Sequence, residues 1–402
     1  LFNSNNYEQL HEHIDLFLKK NDNYLLNYLK GFCLNNSNQV LNAESFLKKS
    51  IKLKPDFWQP YELLFKIFDL RSTMKDFGEL VLTSKSIFFN NFKFIYFNAL
   101  YNFRISNYKE CNIILRSIKI NELKKQKANL SFVVDYYDLN CKNFEKLSDF
   151  NKSLEYALLR NNISINMDIN KDFEKKGLSQ TIESYTRFFE KDQKTNFNSN
   201  SEGLPHSNLT FLIGFPRSGT TLLDSILRSH SKTLVLEERP YLLNIRHDFF
   251  KKNNLSNLLN LDNKNKIIMQ EKYFKSFHYE PDKTIIDKFP LNLLELGFIK
   301  TVFPSSKIIL AIRHPLDCIL SCVLTAFKIN EAMLNFENLK STAFFYNQSF
   351  NLLLNYINFF DIKIHQIKYE DVVNEFEEQI NKLLLFLNLE FEDSLLNFYD
   401  TA

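Results

Sequence analysis

The apolar positions follow two rhythms along the chain. From residue 1 to about 160 they recur at helical spacing, in amphipathic segments that pair up at an interval close to that of a helix-turn-helix repeat. From residue 209 onward short apolar runs alternate with amphipathic ones: LTFLIG (209–214), TTLLDSILRSH (220–230), TLVL (233–236), KTIIDK (283–288), LNLLELGFIKTVF (291–303), KIILAI (307–312) and LDCILSCVL (316–324). Such alternation predicts an α/β fold, a parallel sheet with helices on both faces whose ligand lies beyond the carboxyl ends of the strands. Between the two regimes KTNFNSNSEGLPHSN (194–208) is polar and contains Gly203 and Pro205, which predicts a linker. The expected organisation is an all-α domain over 1–193, a linker over 194–208 and an α/β domain over 209–402.

The stretch LTFLIGFPRSGTTL (209–222) breaks at a glycine, turns and re-enters a helix pattern. Gly214 and Gly219 have the G-x-x-x-x-G spacing of a P-loop, which aims backbone N–H groups at an anion at a helix N-terminus. Thr220 stands where a nucleotide triphosphatase carries its phosphate-gripping lysine. Arg217 and the hydroxyls of Ser218, Thr220 and Thr221 suit one terminal anionic group and no metal, so the donor is expected to be other than ATP. Downstream, KIILAI ends on Arg313-His314-Pro315, and the proline opens a helix that puts Ser321 in its second turn. An arginine fork beside a hydroxyl makes a second phosphate site. Glu237 and Glu238 follow TLVL and Lys288 closes KTIIDK, so these motifs converge on one sheet edge. Each has a plainer reading when taken singly: a tight βα turn, a strand-end ion pair, a solvated acidic turn. Thr284–Asp287 also mimics the strand-end aspartate that holds Mg²⁺ in triphosphatases, which keeps a P-loop kinase or triphosphatase as the rival class.

On these motifs the chain resembles sulfotransferases that use 3′-phosphoadenosine 5′-phosphosulfate, in particular the tetratricopeptide-linked bacterial members and, more distantly, the protein-tyrosine sulfotransferases. The resemblance covers roughly residues 205–400. It implies that PRSGTTL, from Arg217 through Ser218, Gly219, Thr220 and Thr221 to Leu222, grips the 5′ end of the donor, and that Arg313, Ser321 and Tyr369 in KYED complete the donor site. Glu238 lies 21 residues after Arg217, where the family carries its catalytic base; Leu236 replaces the usual preceding glycine, leaving the choice between Glu237 and Glu238 open. IIDKFPLNLLELGFI (285–299) is similar to the family's D-K-x-P-x-N segment and makes Lys288 the transition-state cation. The implied activity is in-line sulfuryl transfer to an acceptor hydroxyl or amine, without a metal. Family members generally continue past the point corresponding to Ala402, so the domain is expected to be C-terminally incomplete, and a repeat scaffold with a degenerate α/β domain is a further alternative.

The first half resembles tetratricopeptide repeats, with a non-repeating α-helical domain as the alternative. Gly31, Ala43 and Pro55 fall 12 residues apart, and the second helix of each pair can be followed through Leu10, Ala43, Leu80, Cys111 and Leu147, at uneven intervals of 33, 37, 31 and 36. Such repeats would present the acceptor or a protein or peptide partner on a concave surface. A net charge of +3 is too small to argue for nucleic acid, and no apolar run spans a bilayer. Five cysteines, odd in number and sparse, together with a start lacking signal-peptide character, predict a reducing, cytoplasmic setting. Cys318 and Cys322, four apart, read as buried small residues, and His11-x-His13 as a solvated helix face.

Overall fold

The computed structural model describes residues 7–19, 21–167, 175–190, 208–249, 255, 258 and 261–400, in two compact units, Leu1–Ser164 and Ile165–Ala402. The first is helical throughout: α1 (Tyr7–Leu18), α2 (Tyr24–Asn36), α3 (Val40–Leu53), α4 (Trp58–Leu70), α5 (Met74–Phe88), α6 (Phe92–Arg104), α7 (Tyr108–Arg116), α8 (Ile120–Leu123), α9 (Leu130–Lys146) and α10 (Phe150–Ile165). The pairs α2–α3, α4–α5 and α6–α7 open at residues 24, 58 and 92, and their second helices at 40, 74 and 108, a constant step of 34 residues. Gly31 is needed for the first pair, because a Cβ there would meet the Leu47 side chain at 2.7 Å and the Ala43 carbonyl oxygen at 3.1 Å.

The uneven track expected through Leu80 is corrected by the structure. Leu80 is only half-buried, whereas Phe77 on α5 is fully buried, as are Ala43 and Cys111, and it falls at the even step between them. A search for small residues passes over it, since the second pair meets through rings: Phe65 of α4 lies 5.2 Å from Phe77 and stacks in turn on Phe97 of α6 with centroids 4.9 Å apart. After α7 the even step ends; Leu147 is half-buried just past α9.

The second unit begins with a helix that the sequence reading assigns to the first domain. α11 (Lys175–Phe188), with Phe189, buries Ile182, Tyr185 and Phe189 in the core of the α/β unit. Gly297 makes room for it, since a Cβ there would lie 2.5 Å from Tyr356 and 2.7 Å from Phe189. The boundary therefore falls before α11; residues 194–207 of the expected linker lie outside the described residues. The unit continues with β1 (Leu209–Gly214), α12 (Thr220–Arg228), β2 (Thr233–Glu237), α13 (Tyr241–Phe249), α14 (Asn263–Phe274), β3 (Thr284–Lys288), a 3-10 segment (Pro290–Glu295), α15 (Leu296–Val302), β4 (Lys307–Ile312), α16 (Pro315–Leu324), α17 (Leu339–Phe360), β5 (Ile364–Lys368), α18 (Tyr369–Asn374) and α19 (Phe376–Leu387).

The five strands pair in parallel in the order β2-β3-β1-β4-β5. Over β1, β3 and β4 both faces are covered, which is why those strands are largely apolar without alternation, whereas β5 at the edge is only partly buried. On one face Phe211, Ile213, Ile285 and Leu310 pack with α11, α14, α15, α16 and α17; on the other Leu212, Ile286, Ile309 and Ala311 pack with α12 and α19. All strands point their carboxyl ends to one edge, which brings the loops after β1, β2, β3 and β4 together.

Candidate active site

The loop after β1 turns tightly enough to dictate its residues. A Cβ at Gly214 would lie 2.6 Å from Ser218 Oγ and 2.7 Å from the Ala311 carbonyl oxygen, and one at Gly219 would lie 2.7 Å from the Tyr369 ring. Gly219 has φ 96° and caps α12 at its N-terminus. Arg217, with φ 72°, takes the same left-handed conformation without being glycine. That turn sends its exposed side chain towards α16, where Nε donates to Ser321 Oγ at 2.9 Å. Thr220 and Thr221 open α12, and Leu222 packs against the core behind it.

Arg313, directly after β4, reaches the same loop: Nη1 donates to the Arg217 carbonyl at 3.5 Å, and the guanidinium lies 4.7 Å above the Tyr369 ring. The KYED segment is fastened to β4 by the His314 N–H, which donates to Glu370 Oε1 at 2.9 Å and holds that carboxyl below its usual range. The structure thus gathers Arg217, Ser218, Gly219, Arg313, Ser321 and Tyr369 around one turn. Two donors there make no hydrogen bond: Ser218 Oγ is buried without a partner, and Arg313 Nε is buried with only the Asp317 carboxylate near it, at 3.8 Å. Buried orphan donors are costly, and their presence fits a place prepared for an anion.

The second cluster forms where β2 and β3 end. The register sets Glu237 opposite Lys288. Lys288 is 0% exposed. Its Nζ donates to Glu238 Oε1 at 2.8 Å and lies 3.4 Å from Glu237 Oε1 and 3.5 Å from Asp224 Oδ2. Glu238 has φ 45°, and its N–H donates to the Lys288 carbonyl at 2.8 Å. This kink separates two adjacent carboxylates: Glu238 joins Arg217, Thr220 and Thr221 in lining a cavity of about 810 Å³, and Glu237 turns instead to Arg228, whose Nη2 stands 3.3 Å from its Oε2. The cavity's other walls include Leu178, Leu243, Phe289, Leu291, Phe327 and Met333, with Arg246 and Glu295 paired at 3.1 Å.

Asp224 and Arg228 escaped the sequence reading. The available signal was a carboxylate on the apolar face of α12 with an arginine four residues on, a spacing that joins them on one helix face. Asp224 is buried, which pushes its carboxyl up, and Lys288 and Arg228 pull it back. Asp287 lies elsewhere: one residue before Lys288 on β3, it points to the other face of the sheet, where it accepts from the Tyr273 hydroxyl at 2.5 Å. Burial pushes it up to about 7. A carboxyl enclosed in the core is no Mg²⁺ ligand at the edge, which removes the main support for the triphosphatase alternative. Cys318 and Cys322 are buried and free, Cys322 Sγ lying 3.4 Å from the Pro216 carbonyl oxygen. His13 is exposed, and the His11 side chain lies outside the described ones.

With the sheet edge in view, residues 210–393 match the Sulfotransferase family. Over those residues the α/β unit is similar to that family. It is 28% identical over 292 residues to an uncharacterised protein of Aquifex aeolicus, a match covering 69% of this chain and 37% of that protein's length. It is 27% identical over 199 residues to a putative protein-tyrosine sulfotransferase of Caenorhabditis briggsae, covering 48% of this chain and 69% of the relative. Among solved structures, the sulfotransferase domain from the curacin biosynthetic pathway shares 23% identity at a TM-score of 0.35, over 49% of this chain and 79% of that one.

Proposed function

We propose that the protein transfers a sulfuryl group from 3′-phosphoadenosine 5′-phosphosulfate to an acceptor hydroxyl or amine. The observation that carries this is the cavity edge, where Arg217, Thr220 and Thr221 of the anion loop and Glu238 face one space while Lys288 Nζ stands 2.8 Å behind Glu238. The bond broken is that between sulfur and the 5′-phosphate oxygen; the bond formed joins sulfur to the acceptor atom, whose proton passes to Glu238. Glu238 is the base because it alone of the two glutamates lines the cavity and has one cation for a partner, whereas Glu237 is shared between two. Lys288 and Arg217 supply positive charge to the oxygens that gain negative charge as transfer proceeds. Ser218, Gly219, Thr220, Thr221 and Leu222 form the wall of the 5′ site, and Arg313, Ser321 and Tyr369 hold the 3′-phosphate, Arg313 Nε gaining a hydrogen-bond acceptor closer than Asp317 at 3.8 Å. No step calls for a metal. The 34-residue helix pairs are read as tetratricopeptide-like repeats that offer a surface to the acceptor or to a protein partner.

The test is a thermal-shift comparison. Adenosine 3′,5′-bisphosphate should stabilise the protein, 5′-AMP much less, and ATP with Mg²⁺ no more than 5′-AMP. Arg313→Ala should erase most of the difference between the first two, as the loss of a charge-assisted fork costs about 2–5 kcal/mol in a desolvated site. Equal shifts with bisphosphate and monophosphate would end the assignment of the 3′ site.

A further inference from the structure

The carboxylates around Lys288 are not equivalent. Asp224 Oδ2 lies 3.5 Å from Lys288 Nζ, and Asp224 Oδ1 takes Arg228 Nη2 at 2.7 Å. That same Nη2 lies 3.3 Å from Glu237 Oε2, and Glu237 Oε1 lies 3.4 Å from Lys288 Nζ. Lys288, Asp224, Arg228 and Glu237 therefore close a ring of alternating charge, and Glu238 hangs outside it on a single bond. Within the ring Asp224 is the most enclosed carboxylate, its side chain 3% exposed against 54% for Glu237.

On the reading of Lys288 and Glu238 given above, turnover breaks the bond that joins them. Glu238 has to take up a proton from the acceptor, and Lys288 has to turn to the incoming sulfuryl group. A fully buried ammonium that lost its closest carboxylate would be costly to keep in place unless another partner held it. Asp224 is such a partner, and its position on α12 makes the hold specific. Thr220 and Asp224 are four residues apart on one face of the helix whose first turn forms the anion loop. A lysine tethered to Asp224 is thereby tethered to the loop.

We propose that Asp224 is a positioning residue for the transfer: it keeps the Lys288 ammonium beside the first turn of α12 while Glu238 lets go, with Arg228 fixing the Asp224 carboxylate and Glu237 closing the ring. It touches neither substrate and acts through Lys288.

Asp224→Asn, which keeps the shape and removes the charge, tests this in the full chain alongside Asp224→Glu. Three quantities are read: turnover of labelled 3′-phosphoadenosine 5′-phosphosulfate with water or an added alcohol as acceptor, the Kd of adenosine 3′,5′-bisphosphate by calorimetry, and the crystal structure of the asparagine variant. The expected result is a turnover loss of roughly 10- to 100-fold with a Kd change of about threefold or less, recovery of most of the rate by Asp224→Glu, and Lys288 Nζ displaced from the first turn of α12. Wild-type turnover in Asp224→Asn, a parallel loss of rate and bisphosphate affinity, or glutamate no better than asparagine would each overturn the proposal. Should the unaltered protein bind no bisphosphate and turn over no donor, the donor-site reading fails by itself. The ring is then judged by the crystal structure, and an unmoved Lys288 Nζ refutes the role of Asp224.

Discussion

The two units use the same backbone conformation for different ends. Among the described residues of the helical unit, those with positive φ are Asn38, Ser72, Ser106 and Ser148, small polar residues just past helix ends. Asp361 and Asn388 do the same in the α/β unit, as C-caps of α17 and α19. Among the described residues Arg217 and Glu238 are the exceptions: neither ends a helix, both carry long charged side chains, and both line the cavity. The left-handed region costs about 1–2 kcal/mol for a residue with a Cβ. In the turns that cost closes a helix; at the sheet edge it aims a guanidinium and a carboxylate into one space, the pattern of strain held at a functional site. Charge divides the units likewise. Arg104–Asp69 and Lys93–Glu62, at 2.6 and 2.8 Å, are partly exposed and screened, whereas Lys288 is buried among three carboxylates.

The widest break would come from cutting the units at the wrong place. A fragment starting at Ile165 retains α11, and with it Ile182, Tyr185 and Phe189 in the core. One starting at Asn208 loses all three, at roughly 1.5–3 kcal/mol each, together comparable to the net stability of a domain. The longer fragment should melt cooperatively by circular dichroism and the shorter should not. Equal cooperativity would return α11 to the helical unit.

Next in size is the contrast within the acidic pair. Glu238→Gln should lower sulfuryl transfer roughly 10²–10⁴-fold and leave bisphosphate binding nearly unchanged, because a general base acts only on the proton in the transition state. Glu237→Gln should cost about tenfold or less. Rates that fall in the opposite order would mean that the kink at Glu238 is not what selects the base.

Much of this was legible in the sequence because it was local. The strand-glycine-turn-helix pattern of 209–222, the strand-end positions of Glu238, Lys288 and Arg313, and the apolar strands buried on both faces are written in consecutive residues. What escaped was set by packing across the chain. Asp224 gains its meaning only when Lys288 arrives from β3. Phe77 keeps the repeat in step although its size hides it from a search for small residues. α11 reads like the helices before it, and only the fit of Phe189 against Gly297 and Tyr356 assigns it to the second unit.

Asp287 sharpens the contrast between the buried charge proposed to act in transfer and buried charge that is only housed. Its carboxyl moves from an ordinary value of 3.8 to about 7 in the fold, mainly through burial. The folded state thus favours the protonated form. That contribution is complete below about pH 4 and is lost as pH rises from there to about 7, up to roughly 2–4 kcal/mol. Asp287→Asn should flatten this slope and be more stable than the wild type at pH 8, with the bisphosphate Kd unchanged. A melting temperature that depends on pH identically in both proteins would remove the assignment.

The smallest effect bears most directly on the strain comparison. Glycine at a left-handed position relieves about 1 kcal/mol of strain and returns part of it through the entropy of the unfolded chain. Ser72→Gly and Ser106→Gly should therefore leave the melting temperature unchanged or raise it by a degree or two, with activity intact. If Glu238 is strained for chemistry, Glu238→Gly should be at least as stable as the wild type and yet lose transfer as fully as Glu238→Gln, since the ring of Asp224, Arg228 and Glu237 still pairs Lys288. Differential scanning calorimetry beside a rate measurement separates the outcomes. A drop of several degrees in Glu238→Gly would show that its carboxylate is needed to hold Lys288 in the fold, and the kink would then be structural, like the turns of the helical unit.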